Sequence, residues 1–369
     1  MPREETITAA PSGAAAPAPD TRSSRFESLG AYLPPHVLPT SALVDRVAGV
    51  PGLELERITG VRERRVYDRR PEAGEDSYGL ALKAARDCLA NSRYEAGELD
   101  VVVSSSITRF KNRDRFHFEP SLATMLAGEL GAHAAITFDV SNACAGMMTG
   151  VYVLDRMIRA GVVRNGLVVS GEQATKVAET AAAEITDSYD PQFASLSVGD
   201  SGVAVLLDES ADAADRIHYI ELMTCSEHSD LCLGMPSDRT QGIALYTDNR
   251  KMHREDRLRL WPAFHGDLLA KLGRTFEQEE FDYIVQHQVG TRFIAFVNRT
   301  GEAEFGTPMP ESLAVVEEFG NTATTAHFLA LHQHLRAGTA RRGAKFLLVP
   351  AASGVVAGAL SATITSAGV

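Results

Sequence analysis

Phe138-Asp-Val-Ser-Asn-Ala-Cys144-Ala-Gly146 opens a run with apolar residues at helical spacing over 147–159. That run ends at Arg159-Ala-Gly161, and Gly166 and the apolar stretch Leu167-Val-Val169 follow. The same order recurs later: Asn321 begins a helix-like run that ends at Arg336-Ala-Gly338, followed by Gly343 and Leu347-Leu-Val349. Positions 144 and 321, 159 and 336, and 166 and 343 each stand 177 apart. Upstream, Glu98-Leu-Asp100 and Glu280-Phe-Asp282 each precede a strand-like run, at an offset of 182. An ordered series of this kind predicts two similar halves, each alternating strands with helices, which is α/β organisation. The seam falls near 208–215, so the halves are expected at 26–210 and 211–369. The repeat sets Cys144 opposite Asn321, each at the start of a helix in its own half.

Composition narrows the function without naming it. The 369 residues are 44% hydrophobic and 23% charged, an ordinary globular mix. A net charge of -12 argues against general nucleic-acid binding, which needs a basic surface. No apolar run approaches the roughly 20 residues that span a bilayer. Residues 1–25 are rich in Ala, Pro, Ser and Thr and lack the basic start and apolar core of a signal peptide, so they are expected to form a disordered tail. The four cysteines (Cys88, Cys144, Cys225, Cys232) form no CxxC pair and no disulfide framework, which fits a reducing cytoplasm and argues against zinc. Nothing in the pattern calls for a metal or an organic cofactor. Cys88 lies in a helix-like run, 78–90, and reads as a small core hydrophobe.

Three residues have the chemistry of acyl transfer. Cys144 sits between a strand and a helix, with Ala143, Ala145 and Gly146 leaving room at the sulfur. Helix N-termini carry partial positive charge, so a lowered thiol pKa is expected there. His287 follows the apolar run Tyr283-Ile-Val, and strand ends are where α/β enzymes place chemistry. Asn321 follows Phe319-Gly320. Taken singly, each has an ordinary structural role: packed core for the cysteine, a hydrogen-bonded strand end for the histidine, a helix N-cap for the asparagine. Together they suit a thiolate nucleophile with two hydrogen-bond donors. The segment Ala351-Ala-Ser353-Gly354 could add backbone N–H groups for an oxyanion, with Ser353 and Gly354 at its turn.

With these residues in place, the sequence from Phe26 onward resembles β-ketoacyl-acyl-carrier-protein synthase III and its thiolase-superfamily relatives. The resemblance rests on Gly30-Ala-Tyr-Leu-Pro, Ile58-Thr-Gly-Val-Arg-Glu-Arg, the segment around Cys144, Val198-Gly-Asp-Ser-Gly, His287-Gln and Gly320-Asn-Thr. It implies a five-layered αβαβα thiolase fold, a dimer, and acyl-CoA or acyl-carrier-protein thioesters as partners. It also implies Cys144, His287 and Asn321 as nucleophile and partners. Two departures stand out. Glu119, in Phe116-His-Phe-Glu119-Pro-Ser121, replaces the non-acidic residue of the chain-initiating synthases. It resembles the glutamate with which olefin-pathway thiolases and pyrone-forming ketosynthases act across their dimer. The segment after the first helix also lacks the aromatic residue that stacks the CoA adenine in the initiating synthases, the one tryptophan being Trp261. The expected reaction is Claisen condensation of two acyl thioesters without decarboxylation. Decarboxylative condensation with a malonyl thioester and acyl transfer to a hydroxyl or amine are the alternatives. The resemblance leaves open a homodimer or a heterodimer with a related subunit.

Overall fold

The computed structural model describes residues 22–369 except Ala48, His253, Glu255, Asp256 and Leu258. Two main sheets are built on paths of five strands each, and a further short strand, Ala351–Ala352, joins the second. The first contains β1 (Ser23–Tyr32), β2 (Val101–Ser104), β3 (Ile136–Asp139), β4 (Asn165–Glu172) and β5 (Ser201–Ser210), in the order β1-β5-β4-β2-β3. The second contains β6 (Arg216–Thr224), β7 (Tyr283–Gln286), β8 (Glu311–Ser312), β9 (Ala344–Val349) and β10 (Val356–Ile364), in the order β6-β10-β9-β7-β8. Strand directions agree pair by pair: β5 is antiparallel to β1 and β4, as β10 is to β6 and β9, and the remaining pairs are parallel.

Side-chain alternation along the strands builds the layers. Val103 and Val168 point inward and Val102, Leu167 and Val169 outward, so each central strand is apolar on both faces. On the outer face of the first sheet lie α1 (Ser77–Ala90) and α2 (Leu122–Leu130). Asp76 starts α1 by accepting from the Gly79 N–H at 2.9 Å, which satisfies one of the open donors of a helix start. Cys88 of α1 is fully buried, as its core reading requires. Between the sheets run α3 (Gly146–Arg159) and α6 (Ala326–Ala337), each packed against strands of both. Met147, Val151, Leu154 and Ile158 of α3 share one buried core with Phe328, Leu329, Leu331 and Leu335 of α6. The outer face of the second sheet is covered by α4 (Leu260–Lys271) and α5 (Thr291–Phe305) around Trp261, Leu269, Val297 and Ile284. The order is thus αβαβα. Among the described residues no helix is long and apolar enough to cross a membrane.

Register refines the internal repeat. Val102 pairs with Leu167 and Ile284 with Leu347, so β2 maps onto β7 at an offset of 182 and β4 onto β9 at 180. Ahead of each central helix stands a three-residue 3-10 turn, Ala143–Ala145 before α3 and Ala323–Thr325 before α6, again 180 apart. The first residue of each turn has positive φ, 43° at Ala143 and 56° at Ala323. Both turns therefore store backbone strain of about 1–3 kcal/mol per residue. Gly161 and Gly338, which follow the helices with φ of 70°, keep the 177 offset. The two offsets differ by three because α3 is two residues longer than α6 and one more residue, Ala160, separates α3 from its glycine. The residue equivalent to Cys144 is consequently Thr324, and the expected pairing of Cys144 with Asn321 does not hold.

The last strand of the first sheet ends at Ser210 and the first strand of the second begins at Arg216. The expected tail of residues 1–25 is shortened at its far end. Ser23, Ser24 and Arg25 belong to β1, in register with Ser210, Glu209 and Asp208, and the Ser24 hydroxyl donates to Asp155 at 2.6 Å. Residues 1–21 lie outside the described residues.

Candidate active site

Cys144 occupies the middle of the turn between β3 and α3. Asp139 closes β3 and accepts from the Leu122 and Ala123 N–H groups at 3.0 Å each, tying the start of α2 to the strand that leads to the cysteine. Gly146, the first residue of α3, permits the closest packing here. A Cβ there would stand 2.8 Å from the Ser105 carbonyl oxygen and 3.2 Å from Thr324 Cγ2. The Cys144 turn adjoins both the Ala323–Thr325 turn and the short strand Ala351–Ala352. Burial pushes the thiol up to about 12, and Cys232 and the carboxylate of Glu172 push in the same direction. The expectation of a lowered thiol pKa is corrected: loss of water outweighs the partial charge of a helix start.

His287 follows β7 and is almost wholly enclosed, with a relative exposure of 3%. Its ring stacks on His327, with centroids 5.3 Å apart and an interplanar angle of 16°. His327, the second residue of α6, has its Nε2 3.0 Å from the Val349 carbonyl oxygen. A carbonyl only accepts, so that nitrogen carries the proton. Burial, with His327 adding to it, holds His287 well below the ordinary histidine range, and burial pulls His327 down to about 4. Both imidazoles are neutral at neutral pH. Nδ1 of His287 is buried with no hydrogen-bond partner among the described residues.

Asn321 is held by its backbone. Its N–H donates to the Ser197 carbonyl at 2.9 Å and its carbonyl accepts from Gly199 at 3.1 Å. Gly320 makes this approach possible: φ is 67°, and a Cβ would stand 2.5 Å from the Ser197 oxygen. The Asn321 side-chain oxygen accepts from the Ala323 N–H at 3.0 Å, which fixes the strained turn from outside the helix rather than as an N-cap. Its amide N–H groups thus point away from that bond. Cys144, His287 and Asn321 are carried by elements that meet.

Sequence reasoning missed the residues beneath them. Glu172, at the end of β4, is fully buried and accepts from the Ile107 N–H at 2.8 Å, the Thr108 N–H at 3.0 Å and the Thr108 hydroxyl at 2.7 Å. It also accepts from the Thr324 hydroxyl at 2.6 Å, and the Ser170 hydroxyl donates to Thr324 Oγ1 at 2.6 Å. Glutamate closing a strand centred on Leu167-Val-Val169 was the available signal, and a repeat aligned at 180 would have exposed Thr324.

Glu119 and the turn at Ser353 and Gly354 are placed differently. Glu119 is exposed, makes no hydrogen bond or ion pair with the described residues, and stands between a two-stranded hairpin (Phe110–Lys111 with Arg115–Phe116) and α2. Phe116 and Phe118 beside it are 46% and 75% exposed. Ala351–Ala352 folds back on Val356 and Ala357, with Ser353 and Gly354 at the bend and Gly354 at φ 128°. A groove of about 680 Å³ is lined by Thr40, Asp45, Glu54, Arg57, Arg62 and Glu317, among others. Both arginines in it are paired, Arg57 with Glu54 and Arg62 with Glu317. Among the described residues no cluster of three or more His, Cys, Asp or Glu side chains could hold a metal.

Comparison with known proteins agrees with this geometry. Residues 138–225 match the 3-oxoacyl-(acyl-carrier-protein) synthase III family and residues 273–364 its C-terminal family. The beta-ketoacyl-(acyl-carrier-protein) synthase III of Clostridium novyi is 25% identical over 351 residues, covering 91% of this chain and 97% of its own. That of Alkalilimnicola ehrlichii is 28% identical over 340 residues, covering 88% and 94%. In fold the chain is similar to Xanthomonas campestris OleA with bound lauric acid and lauroyl-CoA, at TM-score 0.78 and 22% identity over 92% of this chain and 99% of that one. It is also similar to FabH of Pseudomonas aeruginosa, at TM-score 0.76 and 24% identity over 93% and 99%. Two similar halves in one αβαβα arrangement, paired strained turns at their centre and matched synthase III segments together identify a thiolase-fold, β-ketoacyl synthase III-like acyltransferase that joins acyl groups by Claisen condensation.

Proposed function

We propose that the enzyme condenses two acyl thioesters without decarboxylation, with Cys144 carrying the first acyl group and Glu119 of a second copy acting as the base. Acylation exchanges one thioester for another: the Cys144 sulfur forms a bond to the acyl carbon, the donor C–S bond breaks, and the thiol proton leaves with the donor thiol. His287 and Asn321 then donate hydrogen bonds to the carbonyl of the second thioester, and the backbone near Ser353 and Gly354 serves the acyl-enzyme oxygen. Removal of an α-proton gives a carbanion equivalent that attacks the acyl carbon and releases the cysteine.

The observation that carries this reading is the contrast between two carboxylates. Glu172 is the one beside Cys144 within the chain, and four donors occupy its oxygens, so it has no free lone pair for a substrate proton. Glu119 is exposed and unengaged, between aromatic side chains suited to burial by a partner subunit. The OleA comparison lends support, since solved structures of that protein include variants of a glutamate and of a histidine.

Two measurements test the proposal. Glu119→Gln should still be acylated at Cys144, yet lose condensation of plain acyl thioesters by about 10²–10⁴-fold, the usual worth of a general base. Condensation with a malonyl thioester, if present, should be far less affected, and equal rates for variant and parent with plain thioesters would rule the base assignment out. Mixing Cys144→Ala with Glu119→Gln protomers should restore activity, because one site of the mixed dimer regains both groups. No recovery would place Glu119 outside the partner's site.

A further inference from the structure

Glu172 has no part in the steps above, and its place in the fold does not demand a carboxylate. The registers fix its twin: Glu172 pairs with Ser201 and Ala352 with Val356, as Val168 pairs with Val205 and Leu348 with Leu360. The equivalent of Glu172 is therefore Ala352. The contacts are crossed: β4 adjoins the Thr324 turn, and the strand bearing Ala352 adjoins the Cys144 turn. One backbone arrangement thus carries a hydrogen-bonded carboxylate beside the threonine turn and an alanine in the strand beside the nucleophile's turn.

The carboxylate acts on Cys144 along two routes. Thr324 is clamped through its hydroxyl by Glu172 at 2.6 Å and by Ser170 Oγ at 2.6 Å. The Thr324 methyl in turn packs against Gly146, two residues after Cys144. The Ile107 and Thr108 N–H groups, also held by Glu172, fix the loop whose Ser105 carbonyl closes over the same glycine. Besides Glu172, the titratable group that pushes on Cys144 is Cys232, on the strand Cys232–Pro236, while the nearby histidines, His287 and His327, are neutral. Burial pushes Glu172 itself up, and its hydrogen bonds oppose that shift.

We infer that Glu172 is a positioning residue for acyl transfer: through Thr324 and the 105–108 loop it sets the turn that presents Cys144 to the incoming thioester. The inference rests on Cys144 being the acyl carrier. Glutamine in its place would turn an amide N–H₂ toward groups that are themselves donors, so it keeps size but loses the clamp.

The test uses the full-length enzyme and its variants Glu172→Gln, Thr324→Val and Thr324→Ser. It measures single-turnover acylation of Cys144 by a long-chain acyl-CoA, read as intact mass, and the pH profile of Cys144 alkylation by iodoacetamide. Displaced turns of this kind cost roughly ten- to a hundredfold in rate. Glu172→Gln should lose acylation rate on that scale, and its alkylation profile should move to lower pH because a negative charge near the thiol is gone. Thr324→Val should share the rate loss without the shift, and Thr324→Ser, which keeps the hydroxyl held by Glu172 and loses only the methyl against Gly146, should lose less than Thr324→Val. Acylation of Glu172→Gln within twofold of the parent, or an unmoved alkylation profile, would overturn the inference. Should Glu172→Gln fail to fold, acylation of the Thr324→Val enzyme within twofold of the parent would overturn it instead. Failure of the underlying assignment is distinguishable, because the parent enzyme would then show no acyl mass at Cys144.

Discussion

The turns ahead of α3 and α6 share a backbone and differ in chemistry. Both are three residues long, both begin with an alanine at positive φ, and both feed a helix buried between the two sheets. One presents the Cys144 thiol in a turn that adjoins the short strand bearing Ala352. The other presents the Thr324 hydroxyl to a buried carboxylate. Duplication explains the shared frame, and the difference shows how a symmetric frame is made into an asymmetric site. The half that reacts has an alanine in the strand beside its turn. The half that supports it is filled with hydrogen bonds, which rigidify the frame as long as every donor is matched.

The sharpest way to break this comparison is to exchange the roles of the two turns. Cys144→Ala should show no acyl mass after incubation with an acyl thioester, whereas Thr324→Ala should still bind one acyl group at Cys144. An acylated Cys144→Ala chain would mean that the second turn, or another residue, carries the acyl group.

The donors come next. His287→Ala and Asn321→Ala should each reduce condensation by about 10²–10³-fold, the usual cost of one oxyanion donor, while leaving acylation of Cys144 measurable. Loss of acylation to the same degree in both would place these residues in the first half-reaction instead.

The shared frame predicts a stability effect as well. Phe328 lies in α6 with its ring 5.9 Å from that of Phe26 in β1, inside the core common to both halves. Phe328→Ala should cost about 3–5 kcal/mol, read by denaturant unfolding. A much smaller value would show that the halves are less interlocked than the packing indicates.

The smallest expected effect is on pH dependence. The Cys144 pKa is raised in the folded chain to about 12, so the thiol keeps its proton through neutral pH. Iodoacetamide should react slowly at pH 7 and about tenfold faster per pH unit until near 12, since the thiolate is the reactive form. The stability linked to this thiol is complete below the ordinary thiol range and is lost as pH rises through it toward the folded value. A reaction plateau near pH 8 would reverse the assigned direction.

Much of this molecule is written in local pattern. Apolar runs at Val101-Val-Val103, Leu167-Val-Val169 and Leu347-Leu-Val349 announced buried strands, and the matched series after Cys144 and Asn321 announced two halves, because strand and helix periodicity is a property of neighbours in the chain. Cysteine, histidine and asparagine at strand and helix ends were legible for the same reason. What stands opposite Cys144 was not legible. The 177 offset is set by the ends of α3 and α6, and only strand register shows that the helices differ in length and that Thr324 is the true counterpart. The ionisation of the thiol was misread too, since desolvation is imposed by segments far along the chain, Glu172 and Cys232 among them, and no local motif records it. Glu119 is the mixed case. Its residue type was visible in the sequence. Its exposure beside Phe116 and Phe118, with no partner among the described residues, follows from how the hairpin meets α2, because exposure depends on what the rest of the chain leaves uncovered.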